Sequence, residues 1–255
     1  MLAREAADSG IEIVVACGGD GTISQVANGL TNTRTRLGLL PLGTGNDLAR
    51  HLGLLDPRLA VQAILTGSAI HADLVRWSSA GTHDRRAGFM LNVAGCGFDA
   101  LVAERVNQGF KGLNGTSAYL AAVAATLATF QPGPLRVEVD GRVVEGPAML
   151  CAVANASSYG GGMRIAPEAR IDDGLLDVVL IGRVSRFEFL RTFPRVFKGT
   201  HVSHPAVTCL RGKKVLIEAD AAMPILCDGE LCGFTPAEFE LDPGAIQILV
   251  PDRCA

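Results

Sequence analysis

Hydrophobic and polar positions change their period partway along the chain. "IEIVVAC", residues 11–17, is a short apolar run rich in β-branched residues, and it predicts a strand buried on both faces, as in a parallel sheet. After the turn "GGDG", Ile23, Val26, Ala27 and Leu30 recur at i, i+3, i+4 and i+7, one face of a helix. Thr22, with Gln25 three places on, has the form of a capping box. The pattern then repeats. "LGLLPL" predicts a second strand, "GTGNDLARHLGL" opens a helix with Thr44 and Asp47 at cap spacing, and "DPRLAVQAILTGS" predicts a helix closing near residue 68. Successive strand–loop–helix units indicate an α/β layer. Beyond about residue 70 the texture shifts to period two. "PLRVEVDGRVVEG" alternates around Asp-Gly, a hairpin signal. "AMLCAVANA", "LLDVVLIG", "KKVLIEADA", "FELD" and "IQILVP" are further strands, with helices near 99–107, 115–130 and 185–198. The expected fold class is α/β plus β. An N-terminal α/β domain with a parallel sheet, residues 1–70, is followed by a β-sandwich domain, residues 71–255, whose last strand returns to the first domain.

Composition narrows the chemistry. The 255 residues are 48% hydrophobic, enough for a substantial core, and the formal net charge of −3 argues against nucleic acid bound by bulk charge. Seven cysteines without a C-x-x-C pair read as reduced, mostly buried thiols of a cytoplasmic protein. Cys227 and Cys232 in "CDGELC" lack two further ligands for zinc. The opening "MLAREAADSG" is charged and small, unlike a signal segment. The longest near-apolar stretch, "SAYLAAVAATLATF", has 14 residues, short of the roughly 20 a membrane span needs.

Four motifs carry candidate chemistry. A glycine turn between a strand and a helix offers free backbone N–H groups at the positive helix end, a place for phosphate. Asp20 within that turn would repel phosphate unless a metal or a transferable proton intervenes. "GTGNDLA" supplies a second such loop with Thr44, Asn46 and Asp47, and two phosphate-type loops in one crevice favour a nucleotide. In "RIAPEARIDDGLLDVVLIG", Asp172, Asp173 and Asp177 surround Gly174, a composition suited to a hard cation or to a solvated acidic turn. "CDGE" places Asp228 and Glu230 after an apolar strand, as a hairpin turn also would.

"GGDGT", "PLGTGNDLA", "YGGGMRIAPEARIDDGLLDV" and "CDGE", in this order, resemble the diacylglycerol kinase catalytic domain family, which includes bacterial lipid kinases and the sphingosine and ceramide kinases. "GFDA", "KGLNGTSAYL" and "FKGTHVSHP" are similar to its connecting segments. The resemblance implies an α/β nucleotide domain, a β-sandwich and a cleft between them. It implies an ATP-dependent lipid kinase acting with Mg²⁺ on the hydroxyl of diacylglycerol or a similar lipid alcohol. Gly18, Gly19, Asp20, Gly21, Thr22, Ile23 and Ser24 would form the nucleotide-phosphate loop, with Thr44, Asn46 and Asp47 in the second. Asp20 would help hold the metal. Asp228 or Glu230 would be the base, and Asp99 in "GFDA" would orient the acceptor hydroxyl. The Arg170 carbonyl, Asp173 and the Leu175 carbonyl would form a structural magnesium site. Family members usually carry a further strand and helix before "IEIVVAC", so the chain is expected to be short at its N-terminus. The alternatives are a catalytically impaired lipid- or nucleotide-binding paralogue and an NAD kinase.

A lipid kinase also has to reach its substrate. "GRVSRFEFLRTFPRVFKGTH" holds Arg183, Arg186, Arg191, Arg195 and Lys198 against one acid, Glu188, interleaved with Phe187, Phe189, Phe193 and Phe197, and Pro194 would kink any helix there. Such a segment suits peripheral contact with an anionic membrane surface, or a helix that packs its aromatics on the sandwich. A homodimer is also among the expected assemblies.

Overall fold

The computed structural model describes residues 2–81, 84–109 and 116–252. The first residue of the helix expected over 115–130, and residues 111–115 of "KGLNGTSAYL", lie outside them. Helix α1 (Leu2–Asp8) precedes β1 (Ile13–Gly18), α2 (Asp20–Leu30), β2 (Arg36–Pro41), α3 (Asp47–His51) and α4 (Pro57–Thr66). Then come β3 (Ser68–Ala80), β4 (Arg85–Met90), β5 (Val93–Gly97), α5 (Phe98–Gln108) and α6 (Thr116–Thr129). The remainder is β6 (Gly133–Val139), β7 (Arg142–Ala154), β8 (Leu176–Gly182), α7 (Arg186–Thr192), two 3₁₀ turns (Phe193–Lys198, Thr200–Ser203), β9 (Val207–Gly212), β10 (Lys214–Ala219), β11 (Pro224–Cys227) and β12 (Glu230–Val250).

Two pairings are parallel: β1 with β2, and β2 with the far end of β12 at Gln247 and Ile248. The others among the named strands are antiparallel, in the order β1-β2-β12-β10-β6-β7-β5-β11, with β3–β4 and β8–β9 branching from β12 and β7. The β6–β7 hairpin turns at Asp140–Gly141, both at positive φ (47° and 84°), as the Asp-Gly signal requires. β12 is one 21-residue strand. "FELD" and "IQILVP", expected as separate strands, are both parts of it. Pro236 and Gly244 do not end it because each falls within a register shift against β3, between Phe234 and Ala237 and between Asp242 and Ile246.

Three apolar clusters hold these layers. One lies inside the sandwich around Phe239, Leu135 and Val178, one beneath α5, α6 and α7 around Phe98 and Phe189, and one in the α/β layer around Ile23, Leu37 and Leu74. β1 is not buried on both faces: Val15 and Cys17, two residues apart and so on one face, are exposed, while Ala16 on the other is buried. Cys209 is exposed as well, but the other four described thiols are buried, as expected. The capping boxes are absent. Gly19 precedes α2 and Asn46, at φ 52°, precedes α3, and neither makes a side-chain cap. The helix expected over 185–198 breaks into α7 and a 3₁₀ turn at Phe193–Pro194. No helix among the described residues is long and apolar enough to cross a membrane.

Candidate active site

The two glycine loops touch through their backbones. A Cβ on Gly19 would stand 3.2 Å from the Gly43 Cα, and one on Gly43 would collide with Gly19. Neither position accepts a side chain without pushing the loops apart. A carboxylate then ties each loop to the next. Asp20 Oδ1 accepts the Asp47 N–H at 2.8 Å, which satisfies the first amide of α3. The buried Asp47 in turn accepts the Gly161 and Gly162 N–H groups at 2.9 and 2.8 Å, bringing "YGGGM" onto the same wall. Burial raises the Asp47 pKa; its backbone hydrogen bond to Gly161 opposes that, and the nearby Asp20 charge adds to it. Asn46 closes its own loop, accepting from Gly43 N at 3.0 Å and donating to Gly43 O at 2.7 Å. Thr44 and Thr22 are exposed at the rim. Ile23 is misplaced as a ligand contact: its side chain is in the core and its N–H is spent on Gly19 O at 3.1 Å.

The turn between β11 and β12 closes the opposite wall. Asp228, at φ 47°, directs its carboxylate inward. Oδ1 accepts from Asn92 N at 2.8 Å, and Oδ2 accepts from Leu91 N at 2.8 Å and from the Ser24 hydroxyl at 3.2 Å. Desolvation raises its pKa against the pull of those donors. Glu230 differs. It is exposed, its carboxylate has no partner among the described residues, and a Cβ on Gly21 would lie 3.4 Å from its Oε1. Gly21, Ser24, Asn28, Trp77, Asp228 and Glu230 line a cleft of about 670 Å³. The donors from Leu91 and Asn92 had no signal in the sequence, because they are main-chain groups on the link between β4 and β5. Below Asp228, Cys227 and Cys232 bring their Sγ atoms to 2.8 Å, buried and free of a disulfide.

Asp99 stands apart from this cleft, at the start of α5, on the wall of a narrow apolar cavity of about 70 Å³ that Phe98, Tyr159, Met163, Phe189 and Phe193 also line. Tyr159 donates its hydroxyl to Asp99 Oδ2 at 2.9 Å, and burial lifts the Asp99 pKa to about 6. The carboxylate folds back over Gly95, where no Cβ fits, toward the end of β5 at which Val93 O receives the Asp228 N–H. Cleft and cavity therefore adjoin along β5.

The acidic turn has a different character. Asp173 accepts from Leu175 N at 3.1 Å and pairs with Arg211, which also holds Asp177 at 3.2 Å. Arg170 pairs with Asp172 at 3.2 Å, and Asp73 accepts from Gly174 N and Gly244 N at 2.8 and 2.7 Å. No group of three or more His, Cys, Asp or Glu among the described residues is arranged to hold a metal ion. A cation on Asp173 would have to compete with Arg211. Of the set expected from Arg170, Asp173 and Leu175, the Asp173 carboxylate is taken up by Arg211 and by the Leu175 N–H.

Two family descriptions cover most of the chain. "Diacylglycerol kinase catalytic domain" matches residues 1–77, and "YegS C-terminal NAD kinase beta sandwich-like domain" matches residues 92–250. A diacylglycerol kinase of Mycobacterium tuberculosis (strain CDC 1551 / Oshkosh) is 36% identical over 253 residues, 98% of this chain and 80% of the relative. One of Bacillus subtilis (strain 168) is 30% identical over 257 residues, 99% and 82% of the two chains. The crystal structure of a diacylglycerol kinase from Bacillus anthracis matches with a TM-score of 0.71 at 23% identity, over 98% of this chain and 80% of that one. Yeast NADH kinase, solved with NADH, matches at 0.53 and 12% identity, over 95% of this chain and 62% of that one. These two likenesses bear on the fold alone: two domains with a C-terminal β-sandwich.

Proposed function

The chain belongs to the diacylglycerol kinase catalytic domain family and is a lipid kinase, a transferase; from that premise we propose that it moves the γ-phosphoryl group of ATP to the hydroxyl of diacylglycerol or a similar lipid alcohol. In this reading residues 1–70 serve the nucleotide and residues 71–255 the lipid. The backbone of Gly18–Thr22 at the start of α2, with Thr44 and the Asn46-closed loop, receives the phosphates. The acceptor oxygen attacks the γ-phosphorus as the bond from that phosphorus to the ADP oxygen breaks, and the hydroxyl proton passes to a carboxylate. Of the two candidates Glu230 is the base. The observation that carries this is the contrast in engagement: Asp228 is spent on Leu91, Asn92 and Ser24, whereas Glu230 overhangs Gly21 unpaired among the described residues.

Asp20 keeps one oxygen clear of the Asp47 bond and would help hold Mg²⁺. When bound, that ion would neutralise phosphate charge. Asp47 positions "YGGGM" and Asp228 positions the turn that bears Glu230. Asp99 and Tyr159, the polar spot on an apolar wall, hydrogen-bond the polar end of the lipid, with its tails against Phe98 and Phe189. Because such lipids reside in bilayers, the protein works in peripheral contact with a membrane.

The test offers labelled ATP with diacylglycerol and with NAD side by side, followed by a lipid extract. Label in a lipid product is expected. Label in NADP and none in lipid would replace the proposal with a nucleotide kinase, and no heat on titration with Mg-ATP would leave a lipid binder.

A further inference from the structure

We propose that α7 and the 3₁₀ turn after it form a docking surface for an anionic lipid bilayer, with Phe187, Leu190 and Phe197 entering the interface and Arg183, Arg186, Arg191 and Lys198 meeting lipid phosphates. The aromatics of this segment divide by role. Phe189 is buried, 4.8 Å from the Phe98 ring and 5.6 Å from Phe193, on the cavity side. Phe187, Leu190 and Phe197 are 76%, 58% and 49% exposed, with no core to account for them. Phe193 and Phe197 meet edge to face at 6.1 Å, so one aromatic row runs from the cavity wall to the surface.

The charge around these side chains selects the partner. Arg183, Arg186, Arg191 and Lys198 are exposed and make no ion pair among the described residues. Glu188, the one acid between residues 183 and 198, faces His204 at 3.1 Å and is turned away from that role. Arg195 is different, because it donates to Thr200 O and Ser203 Oγ at 2.7 and 2.9 Å and holds the turn in shape. Basic residues free of partners, set around isolated exposed Phe and Leu on a chain of net charge −3, complement an anionic interface. The surface lies on the outer side of the segment whose inner side walls the cavity, so a protein docked here would turn the cavity toward the membrane. The surface deepens the proposed lipid kinase function and rests on it for the reason to dock, though not for the binding itself.

The probe is vesicles of phosphatidylcholine with and without phosphatidylglycerol, in the absence of ATP. Wild type is expected to sediment with the anionic vesicles and to detach as salt rises. Arg186→Gln/Arg191→Gln/Lys198→Gln should lower partition about a hundredfold, and Phe187→Ser/Leu190→Ser about tenfold. The Lys-for-Arg pair Arg186→Lys/Arg191→Lys should bind like wild type, which separates charge from folding. Equal binding to neutral and anionic vesicles, a glutamine triple that partitions like wild type, or no vesicle binding by wild type would overturn the surface. Turnover of a short-chain diacylglycerol dispersed in water, on the same preparations, reports the proposed function separately. The variants should match wild type there, and inactivity of a wild type that still binds vesicles defeats the kinase reading while upholding the surface.

Discussion

The glycine-loop cleft and the Asp172–Asp177 turn are both rich in aspartate and glycine, and both read as places for a charged ligand. They differ in how many donors each carboxylate already has. At the turn, Arg211 holds Asp173 and Asp177, Arg170 holds Asp172, and the Leu175 N–H donates to Asp173, so every acid has a local partner and only Asp177 Oδ2 is left over, buried, among the described residues. In the cleft the same economy ties up Asp228 and Asp47, but stops short of Glu230 and one oxygen of Asp20. Acid content alone therefore does not mark a site; a carboxylate with no local donor at all, as at Glu230, does.

The sharpest way to break this comparison is Glu230→Gln. It should cost about 10²–10⁴ in turnover and leave the melting temperature unchanged, since no described partner is lost. Wild-type turnover in this variant removes Glu230 as the base. Asp228→Asn should lose activity by a different route. Its amide cannot accept from Leu91, Asn92 and Ser24 together, so about 2 kcal/mol of stability goes with it, visible as a lower urea midpoint. Melting like wild type would show that the clamp is dispensable.

Proton linkage sharpens the contrast further. Asp99 has its pKa raised to about 6. A carboxyl raised in the folded state binds its proton more tightly there than in the unfolded chain. Its contribution is therefore full below the ordinary carboxylate range and declines as pH rises toward about 6. Urea midpoints should fall across that window, and Asp99→Asn should flatten the slope; an unchanged slope would assign it to Asp47, Asp73, Asp177 and Asp228, which are raised as well. The smallest effect belongs to the turn. Asp173→Ala should lower stability by roughly 1 kcal/mol, the scale of a half-exposed ion pair, with the same melting curve in Mg²⁺ and in chelator. A chelator-sensitive melt of the wild type would put a cation on Asp173 after all.

How far the sequence reveals this arrangement depends on the range of the interactions. Local signals carry well: β1–turn–α2, the Asp140–Gly141 hairpin and the breaking effect of Pro194 all read directly. The close approach of Gly19 and Gly43 was legible as glycine content without revealing its partner. Asp47 and Gly161–Gly162 stand in two recognisable motifs more than a hundred residues apart, and nothing in either says they bond. β12 was hidden because Pro236 and Gly244 look like strand ends, and they cease to be so where the ladder slips.

That long strand has a mechanical meaning. β12 begins at the turn that bears Asp228 and Glu230, pairs with β11, β10 and β3, and finishes beside β2. It is a single beam built into both walls of the cleft. A beam flexes where its bracing is interrupted, and here the ladder against β3 slips twice, between Phe234 and Ala237 and between Asp242 and Ile246. An opening or closing of the cleft that keeps the ladders intact would bend at those two slips, with the Glu230 end carried along by its pairing to β11.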